Sequence, residues 1–413
     1  MKKSFLIPAM MLLFTALLTT CKKTTTEVLP DEPVPIALTA DQISLISSGK
    51  SFAFDLFRKV ADASVESENI IISPLSISVA LSMATNGANG ETQNEMLETL
   101  RSGNLTTEAI NESYRKLSEA LLSVDKRVLI SIANSVWTED NFPAKKQFID
   151  ILKEYYSAEG RAFDINDPGV PDEINGWIED KTNGLIKDML DDLDPQTVML
   201  LVNAIYFKGQ WNSQFDKDKT DPEPFYKTES ASADVPMMKQ KNKFRTYRGA
   251  DFTFAEFPYG QGNFVMDVIV PDEITGVNNI IRTITDESFN QMTESMFSRE
   301  IELSFPRFKY GYKKELKEIL KDMGMGIAFT GMADFSNISD IAIYISFVLH
   351  QAFIETNEEG TEAAAATVIG FETTSMPPQP AVLKLDRPFF YIIRETTTNS
   401  ILFMGRVSDP LAE

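Results

Sequence analysis

The sequence predicts a single α+β domain, and three observations lead to that prediction. The chain has 413 residues, of which 43% are hydrophobic and 24% are charged, as in ordinary globular proteins. Apolar residues at helical spacing concentrate in the first half, whereas short apolar runs typical of strands dominate the second half. No internal repeat and no second change of composition follows residue 38. Helices and strands segregated along one uninterrupted chain are typical of the α+β class.

The first twenty residues resemble an export signal, and Cys21 follows them directly. Lys2 and Lys3 precede a mostly apolar stretch at residues 5–18, which is too short for a membrane span. Cys21 is the only cysteine, and its position resembles the lipobox of bacterial lipoproteins, although Thr20 is larger than the residue usual before that cysteine. We therefore expect a signal peptide over residues 1–20 and lipidation of Cys21. A plain secretory signal with an incidental cysteine is the alternative.

Residues 21–38 are polar and proline-rich, which is typical of an extended tether. We expect them to hold a folded domain, residues 39–413, away from a membrane. The protein would then be exported and lipid-anchored at the bacterial cell envelope, in the periplasm or on the surface, or else secreted. Because the chain has one cysteine, no disulfide can form within the domain, and packing must stabilise it.

The predicted elements follow in chain order. A capping box at Thr39 and Gln42 begins the first helix, which includes an apolar stretch at residues 52–60. Pro74 ends a short buried strand at residues 69–72. The apolar run at residues 198–207 predicts a central strand buried on both faces. Further helices are predicted at 75–83, 148–156, 174–185 and 316–323, and further strands at 128–137, 301–305, 343–354 and in two hairpins, 252–257 with 264–270 and 389–393 with 401–407.

The charge and the motif content exclude several classes of function. With 60 acidic and 39 basic residues the formal net charge is −21, which repels nucleic acid and anionic lipid headgroups. We expect no nucleic-acid partner and no membrane contact except through the lipid anchor. The chain has a single histidine and carries no zinc-protease motif, Walker loop or nucleophile elbow. No metal, no cofactor and no catalytic residue is therefore expected.

A run of small side chains near the C-terminus is the most informative segment of the chain. Every second residue from Thr361 is small and uncharged, and Glu362 falls on the other face of a strand. That face could enter a crowded sheet without a clash. No proline interrupts residues 358–376, so each N–H there could join a ladder. Taken alone, the run is more typical of a helix or a flexible linker, because alanine favours helices.

This segment resembles the hinge of a serpin reactive-centre loop, and further serpin-like motifs occur in order from about residue 41 to residue 410. They resemble the start of the shutter helix, the turn after that helix, a main-sheet strand with its following tryptophan, and two further serpin motifs. The motifs are NIIISPLSI at 69–77, NGANGET at 86–92, NAIYFKGQW at 203–211, VPMM at 235–238 and FMGRVSDP at 403–410.

The resemblance implies a fold and a mechanism. The fold has three β-sheets, about nine surrounding helices and an exposed reactive-centre loop. A protease that attacks the loop forms an acyl-enzyme, and the freed segment then inserts as a new strand into the main sheet. The protease is displaced and distorted before the ester is hydrolysed. A native state that is a kinetic trap supplies the energy.

The resemblance also assigns a polar cluster beneath the main sheet. This cluster, the shutter, consists of Ser73, Ser76, Asn203 and His350. His350 lies in an apolar stretch, and we expect it to be buried and hydrogen-bonded to Ser73 and Asn203. It would govern how readily the strands separate rather than act as a base.

At the top of the main sheet, the resemblance assigns Trp211 and Arg307 to the breach. Trp211 is expected to be a packing residue. Arg307 is expected to form an ion pair with Glu358, with two solvated charges as the alternative. The hinge residues are Glu358, Gly360, Thr361, Glu362, Ala363, Ala364, Ala365, Ala366 and Thr367.

The reactive bond can be counted from either side of the loop. Counting from the hinge with the family's usual spacing gives Thr374–Ser375, whereas counting back from Arg387 gives a bond near Pro377. We expect the first, because the length of the inserted strand sets where the protease ends. The alternative attack points are Phe371, Thr373 and Met376.

No lysine or arginine lies between Glu358 and Lys384, which disfavours a trypsin-like target, because its specificity pocket needs a cation. The expected partners are elastase-, subtilisin- or chymotrypsin-like serine proteases, or cysteine proteases of similar preference. The inhibitor itself is expected to be a monomer.

Two other functions stay open. The first is a non-inhibitory binding protein on the same fold, although such relatives tend to carry bulky, charged or proline residues in the hinge. The second is a hydrolase that uses Ser73 or Ser76 with His350, which would require these groups in a cleft rather than in a core.

Overall fold

The computed structural model describes residues 32–360 and 380–412. These two ranges contain nine α-helices and fourteen strands. The helices are α1 Ala40–Asp62, α2 Pro74–Thr85, α3 Gly90–Thr99, α4 Thr107–Ser123, α5 Lys146–Tyr156, α6 Val170–Lys181, α7 Val277–Thr283, α8 Asp286–Glu294 and α9 Lys317–Asp322. The strands are β1 Ile70–Ile72, β2 Val128–Glu139, β3 Glu159–Phe163, β4 Met199–Gly209, β5 Asp221–Thr228, β6 Ala231–Arg248, β7 Phe252–Tyr259, β8 Phe264–Pro271, β9 Phe297–Pro306, β10 Phe308–Glu315, β11 Leu349–Thr356, β12 Ala381–Lys384, β13 Phe389–Glu395 and β14 Ile401–Val407.

The strands of the described residues form three sheets. The largest has the order β1-β14-β13-β8-β7-β6-β9-β12, with β5 paired to β6. A three-stranded sheet has the order β3-β2-β4, and a two-stranded sheet pairs β10 with β11. Together with the nine helices, these sheets confirm the predicted α+β class and the predicted numbers of sheets and helices.

The first two helices begin where their capping residues predict. The Thr39 hydroxyl accepts a hydrogen bond from the Gln42 N–H at 3.3 Å, and the Gln42 side chain accepts one from the Thr39 N–H at 2.7 Å. In α2, Pro74 occupies the first helical turn and the Ser73 hydroxyl accepts from the Ser76 N–H at 3.2 Å. α2 is buried over most of its length and lies under the three-stranded sheet.

The prediction of a central strand at residues 198–207 was wrong. Of the described strands, β4 pairs only with β2, so it is an edge strand of the three-stranded sheet. The strand predicted at residues 343–354 is also corrected, because β11 begins only at Leu349. Both errors have one cause. Residues 343–348 and the free edge of β4 face each other across a space, and neither has a described strand beside it there.

The end of the predicted tether lies against the domain. The Val34 N–H donates to Asn263 Oδ1 at 2.7 Å, and Asn263 Nδ2 donates to the Val34 carbonyl at 2.8 Å. The Ile36 N–H donates to the Thr397 hydroxyl at 3.1 Å. Asn263 is fully buried in the turn between β7 and β8. In the described part of the chain, no helix has the length and apolarity to cross a bilayer.

Candidate functional site

The chain reverses direction at residues 357–360, immediately after β11. The Asn357 N–H donates to the Gly360 carbonyl at 2.9 Å, and the Gly360 N–H donates to the Asn357 carbonyl at 3.2 Å. Gly360 also forms an antiparallel bridge with Gln210, at the end of β4. We call residues 357–360 the hinge turn. Gly360 is the last residue described before residue 380. The hinge turn places Gly360 between β11 and the end of β4.

Only glycine fits the last position of the hinge turn. Gly360 has a φ of +138°, which residues with a side chain rarely adopt. A Cβ atom there would lie 2.1 Å from the carbonyl oxygen of Gly209. The close approach of two backbones therefore requires glycine at residue 360.

Trp211 holds the hinge turn as well as packing beneath it. Its ring stacks on Tyr259 at a centroid distance of 4.4 Å and an angle of 8°. The indole N–H donates to the Asn357 carbonyl at 2.9 Å, and the main-chain N–H of Trp211 donates to the Glu359 carbonyl at 2.9 Å. The expectation of a packing residue alone missed these two hydrogen bonds, which tie the end of β4 to the turn.

Arg307 and Glu358 form the expected ion pair. Arg307 Nε donates to Glu358 Oε1 at 2.7 Å, and Nη2 donates to the same oxygen. The Glu358 side chain is only 2% exposed, whereas that of Arg307 is 41% exposed. Burial on its own would raise the pKa of Glu358, but the hydrogen bonds from Arg307 and Thr220 outweigh burial and lower that pKa. Glu358 is therefore an ionised anchor of the hinge turn, and its Oε1 accepts hydrogen bonds from both Arg307 and Thr220.

Three contacts from the segment after β4 were not predicted from the sequence. The Thr220 hydroxyl donates to Glu358, Lys217 forms an ion pair with Glu359, and the Phe215 N–H donates to the Glu358 carbonyl at 2.9 Å. These residues lie more than a hundred positions before the hinge turn. Opposite charge was the only available signal, and it is common throughout this chain.

The shutter residues come together beneath the space between β4 and β11. His350 Nε2 accepts a hydrogen bond from the Ser73 N–H at 3.1 Å. The Ser76 hydroxyl donates to Asn203 Oδ1, and Asn203 Nδ2 donates to Asn134 Oδ1 at 2.6 Å. The expected pairing of His350 with Asn203 is not among the hydrogen bonds of the described residues. The reason is that their strands, β11 and β4, are not adjacent in a sheet.

His350 is buried and uncharged. Burial lowers the pKa of His350 to about 4, because the imidazolium would lose its hydration. The serine hydroxyls of the shutter are directed elsewhere: that of Ser73 accepts from the Ser76 N–H, and that of Ser76 donates to Asn203. Neither geometry activates a serine nucleophile, which would have to donate to the imidazole.

A cavity of about 410 Å³ separates the first residues of β4 from residues 341–350, which lead into β11. We call it the sheet slot. Residues 198–203 form one wall, residues 341–350 form the other, and α2 contributes the floor. Its lining is mainly aliphatic, with Ser76, Asn203 and His350 grouped near the upper end. The sheet slot thus runs between residues 341–350 and an edge of β4 that pairs with no other described strand, below the hinge turn.

The hinge residues Thr361, Glu362, Ala363, Ala364, Ala365, Ala366 and Thr367, the predicted bond Thr374–Ser375 and the predicted lipidation site Cys21 lie outside the described residues.

The sequence and the fold were compared with known proteins. The model of the family described as Serpin (serine protease inhibitor) matches residues 47–410. Iripin-3 of Ixodes ricinus is 34% identical over 350 residues, covering 83% of this chain and 89% of that protein. An uncharacterized serpin-like protein of Methanosarcina acetivorans is 33% identical and covers 90% of each.

Solved structures agree with these matches. The native state of the thermophilic serpin tengpin superposes with a TM-score of 0.81 at 30% identity, covering 92% of this chain and 97% of that one. Human thyroxine-binding globulin superposes with a TM-score of 0.82 at 28% identity, covering 90% and 100%. An α+β domain with a sheet slot beneath a hinge turn defines a serpin-like architecture. The chain belongs to the serpin family, whose members are mostly protease inhibitors rather than enzymes.

Proposed function

We propose that this protein is not an enzyme but inhibits serine proteases by a single covalent trapping event, followed by insertion of the cleaved loop into the sheet slot. We propose the same inhibition for cysteine proteases that prefer small or apolar residues. The observation that carries it is the position of Gly360, which already pairs with Asn357 on one side and with Gln210 on the other. The first residue of an inserted strand is in place before any cleavage.

The hinge turn sets the register that an inserted strand would adopt. In an antiparallel ladder, each step forward from Gly360 is a step backward along β11 and β4. In an inserted strand Thr361 would then lie opposite Thr356 and Gly209, and Thr367 would lie opposite His350 and Asn203. Residues at alternate positions between them face the same side.

The walls of this register suit small side chains. The buried face of β11 consists of His350, Ala352, Ile354 and Thr356. In the inserted register, the four small residues at alternate positions of the hinge would lie opposite these buried residues. Their small side chains would enter the core without a clash. Glu362 would face outward, opposite Glu355 and Lys208. These four small residues are Thr361, Ala363, Ala365 and Thr367.

The length of the sheet slot favours the bond counted from the hinge. In the same register, Thr374 would lie opposite Gln196 and Ile343, at the lower end of the lining. Fourteen residues at roughly 3.3 Å each would span about 46 Å. A bond near Pro377 would carry the attached protease beyond the end of the slot.

The chemistry needs only the protease's own catalytic groups. The protease serine attacks the carbonyl carbon of Thr374, the amide bond breaks, and the amine of Ser375 leaves with a proton. An ester then links the protease to Thr374. Insertion removes the protease from the water and geometry that deacylation requires, so the ester persists. For a cysteine protease the link would be a thioester.

The target preference and the location belong to the same proposal. Small and apolar residues around Thr374, without lysine or arginine, suit elastase-, subtilisin- and chymotrypsin-like pockets. We propose that Cys21 is lipidated and that residues 21–31 tether the inhibitor at the cell envelope. Proteases that approach the cell surface or periplasm would then be its partners.

A denaturing gel tests the proposal. The full chain is mixed with pancreatic elastase or subtilisin at equal concentration, and we expect an adduct that survives SDS and boiling. Cleavage near residue 374 without an adduct would overturn the inhibitor and favour a non-inhibitory binding protein on this fold. Mass spectrometry of the released C-terminal peptide would identify the bond, and a peptide that does not begin at Ser375 would overturn that assignment.

A further inference from the structure

We propose that Asn89 is a site of spontaneous covalent modification, at which its carboxamide is converted to a carboxylate through a cyclic imide. The described residues include three asparagines that are followed by glycine: Asn86, Asn89 and Asn183. Glycine has no Cβ atom to shield its main-chain nitrogen, so in an unfolded chain that nitrogen can approach the preceding carboxamide at all three sites. Of these three, only Asn89 has the geometry that the reaction needs in the folded protein.

The reaction uses two neighbouring residues and one water molecule. The main-chain nitrogen of Gly90 bonds to Cγ of Asn89 and loses its proton, and the side-chain nitrogen of Asn89 leaves as ammonia. Water then opens the resulting five-membered imide. Attack at Cγ gives aspartate, whereas attack at the main-chain carbonyl gives isoaspartate, in which the main chain runs through Cγ. One water is consumed and one ammonia is released, and no oxidant, metal or second protein takes part.

The start of α3 holds the reacting atoms together. The Gly90 N–H donates to Oδ1 of Asn89 at 2.9 Å, so the attacking nitrogen already lies beside the carboxamide. Because Gly90 is the first residue of α3, this N–H has no carbonyl partner within the helix. Both residues are exposed, and no heavy atom from another part of the described chain lies within 4 Å of the position that a Cβ of residue 90 would take. The imide ring and the departing ammonia therefore have room.

The other two asparagines are held away from the reaction. Asn86 is buried, and its carboxamide exchanges two hydrogen bonds with that of Asn111, at 2.9 and 2.7 Å. Asn183 is exposed, but the Gly184 N–H donates to the Glu179 carbonyl at 2.8 Å, in the cap that ends α6. Attack at Asn183 would have to break that cap, and attack at Asn86 would have to break a buried pair.

The two products would affect the fold differently. Asn89 is the N-cap of α3, and its main-chain N–H donates to the Asp334 carbonyl at 2.9 Å. Aspartate would keep the cap and place a negative charge at the helix N-terminus, where such a charge is favourable. Isoaspartate would add one carbon atom to the main chain before Gly90, so the cap and the contact with Asp334 could not both persist. Phe335 and Ile338 follow Asp334 and line the sheet slot, so this product would loosen the wall of the slot.

Peptide mass spectrometry of the full chain tests the proposal. The folded protein is kept in warm, mildly alkaline buffer, and samples taken at intervals are digested and fragmented to assign each site. We expect residue 89 to gain an oxygen atom and lose an NH group at least about tenfold faster than residues 86 and 183. In urea the three sites should react at similar rates, because the unfolded chain lacks the contacts that distinguish them. Equal rates at residues 89 and 183 in the folded protein would overturn the proposal.

Two variants test the effect on the fold. Asn89→Ser keeps an N-cap oxygen but cannot form the imide, and Asn183→Ser is the matched control. After the same incubation, the wild type and Asn183→Ser should melt about 2 °C lower than fresh protein, whereas Asn89→Ser should melt as before. An equal decrease in all three would show that the change at residue 89 does not loosen the fold, and would overturn that part of the proposal.

Discussion

His350 is buried as the neutral imidazole, and this makes the shutter sensitive to acid. Its pKa is about 4 in the folded protein and near 6.5 in an unfolded chain. Below pH 6.5 the unfolded chain binds a proton at His350 that the folded protein does not, so the contribution of this group to stability decreases from pH 6.5 to about pH 4 and is level below that. The difference corresponds to about 3 kcal/mol.

Replacing His350 by glutamine should remove this loss. The carboxamide can accept the hydrogen bond from the Ser73 N–H without titrating. Between pH 7 and pH 4, the free energy of unfolding of the wild type should decrease by about 3 kcal/mol more than that of His350→Gln. Because the chain has one histidine, the difference between the two urea unfolding curves reports on this group. Parallel pH profiles would show that the shutter is not buried as described.

The ion pair of Arg307 with Glu358 should contribute more to the free energy of unfolding than the exposed neighbouring pair, Lys309 with Glu355. Arg307→Met leaves the buried carboxylate of Glu358 short of two hydrogen bonds, at a cost of about 2 kcal/mol at pH 7. The matched control is Lys309→Met, because Lys309 pairs with Glu355 at 3.3 Å on the exposed side and should contribute less than about 1 kcal/mol.

The effect of Arg307→Met should also depend on pH. The pKa of Glu358 lies below its ordinary value of 4.5, so the pair stabilises the fold above that pH and its contribution is lost as the pH falls through the lowered pKa. Urea midpoints at pH 7 and pH 3 measure both effects. If the two variants cost the same at pH 7, Glu358 does not anchor the turn.

Among single residues, the sequence identified those that belong to a family motif or that stand out from their neighbours, as a histidine does in an apolar stretch. Arg307, Trp211 and His350 were found in this way, and each lies where the hinge turn or the shutter requires it. Thr220 and Asn134 were not, because a hydroxyl or amide in an ordinary strand or loop gives no sign of its partner. Such contacts depend on which strands the fold brings together, and that is decided by non-local packing.

At the scale of the element, the face of each hinge residue is open to a direct test. Glu362→Ala/Ala363→Glu moves one charge by a single position without changing the composition. In the inserted register the moved carboxylate would lie between Ile354 and Phe207, both buried. A buried unpaired charge should reduce the yield of adduct at least about tenfold, whereas Glu362→Ala alone should retain it. The readout is the ratio of adduct to cleaved product on a gel. Equal ratios for the two variants would contradict the register.

The helices and hairpins with strong local signals were predicted well. The helix predicted at residues 75–83 lies within α2, and both predicted hairpins occur as β7–β8 and β13–β14. α3, α4 and β6 were not predicted. In β6 the cause is that many of its residues are polar and exposed, so the strand depends on its pairing with β9 rather than on an apolar pattern of its own. The strand predicted from residue 343 required a neighbour that the described sheet does not supply.

At the scale of the whole molecule, one cut in the loop should make the protein more stable. An inserted strand would gain main-chain hydrogen bonds to both β4 and β11. About a dozen residues at roughly 1 kcal/mol each give a gain of about 12 kcal/mol, or about 20 °C in melting temperature. Calorimetry before and after cleavage between residues 367 and 378 measures the gain. The control is cleaved Glu362→Ala/Ala363→Glu, which should gain little. An unchanged melting temperature in the wild type would mean that no strand inserts.

The attachment of Val34 to Asn263 sets the true beginning of the folded unit. The carboxamide of Asn263 is buried, and it exchanges two hydrogen bonds with the main chain of Val34. A polypeptide trimmed to start at α1 would lose Val34, and the amide of Asn263 would lose two of its hydrogen bonds and the residue that covers it. Any shortened form of this protein should therefore retain residues from Pro33 onward.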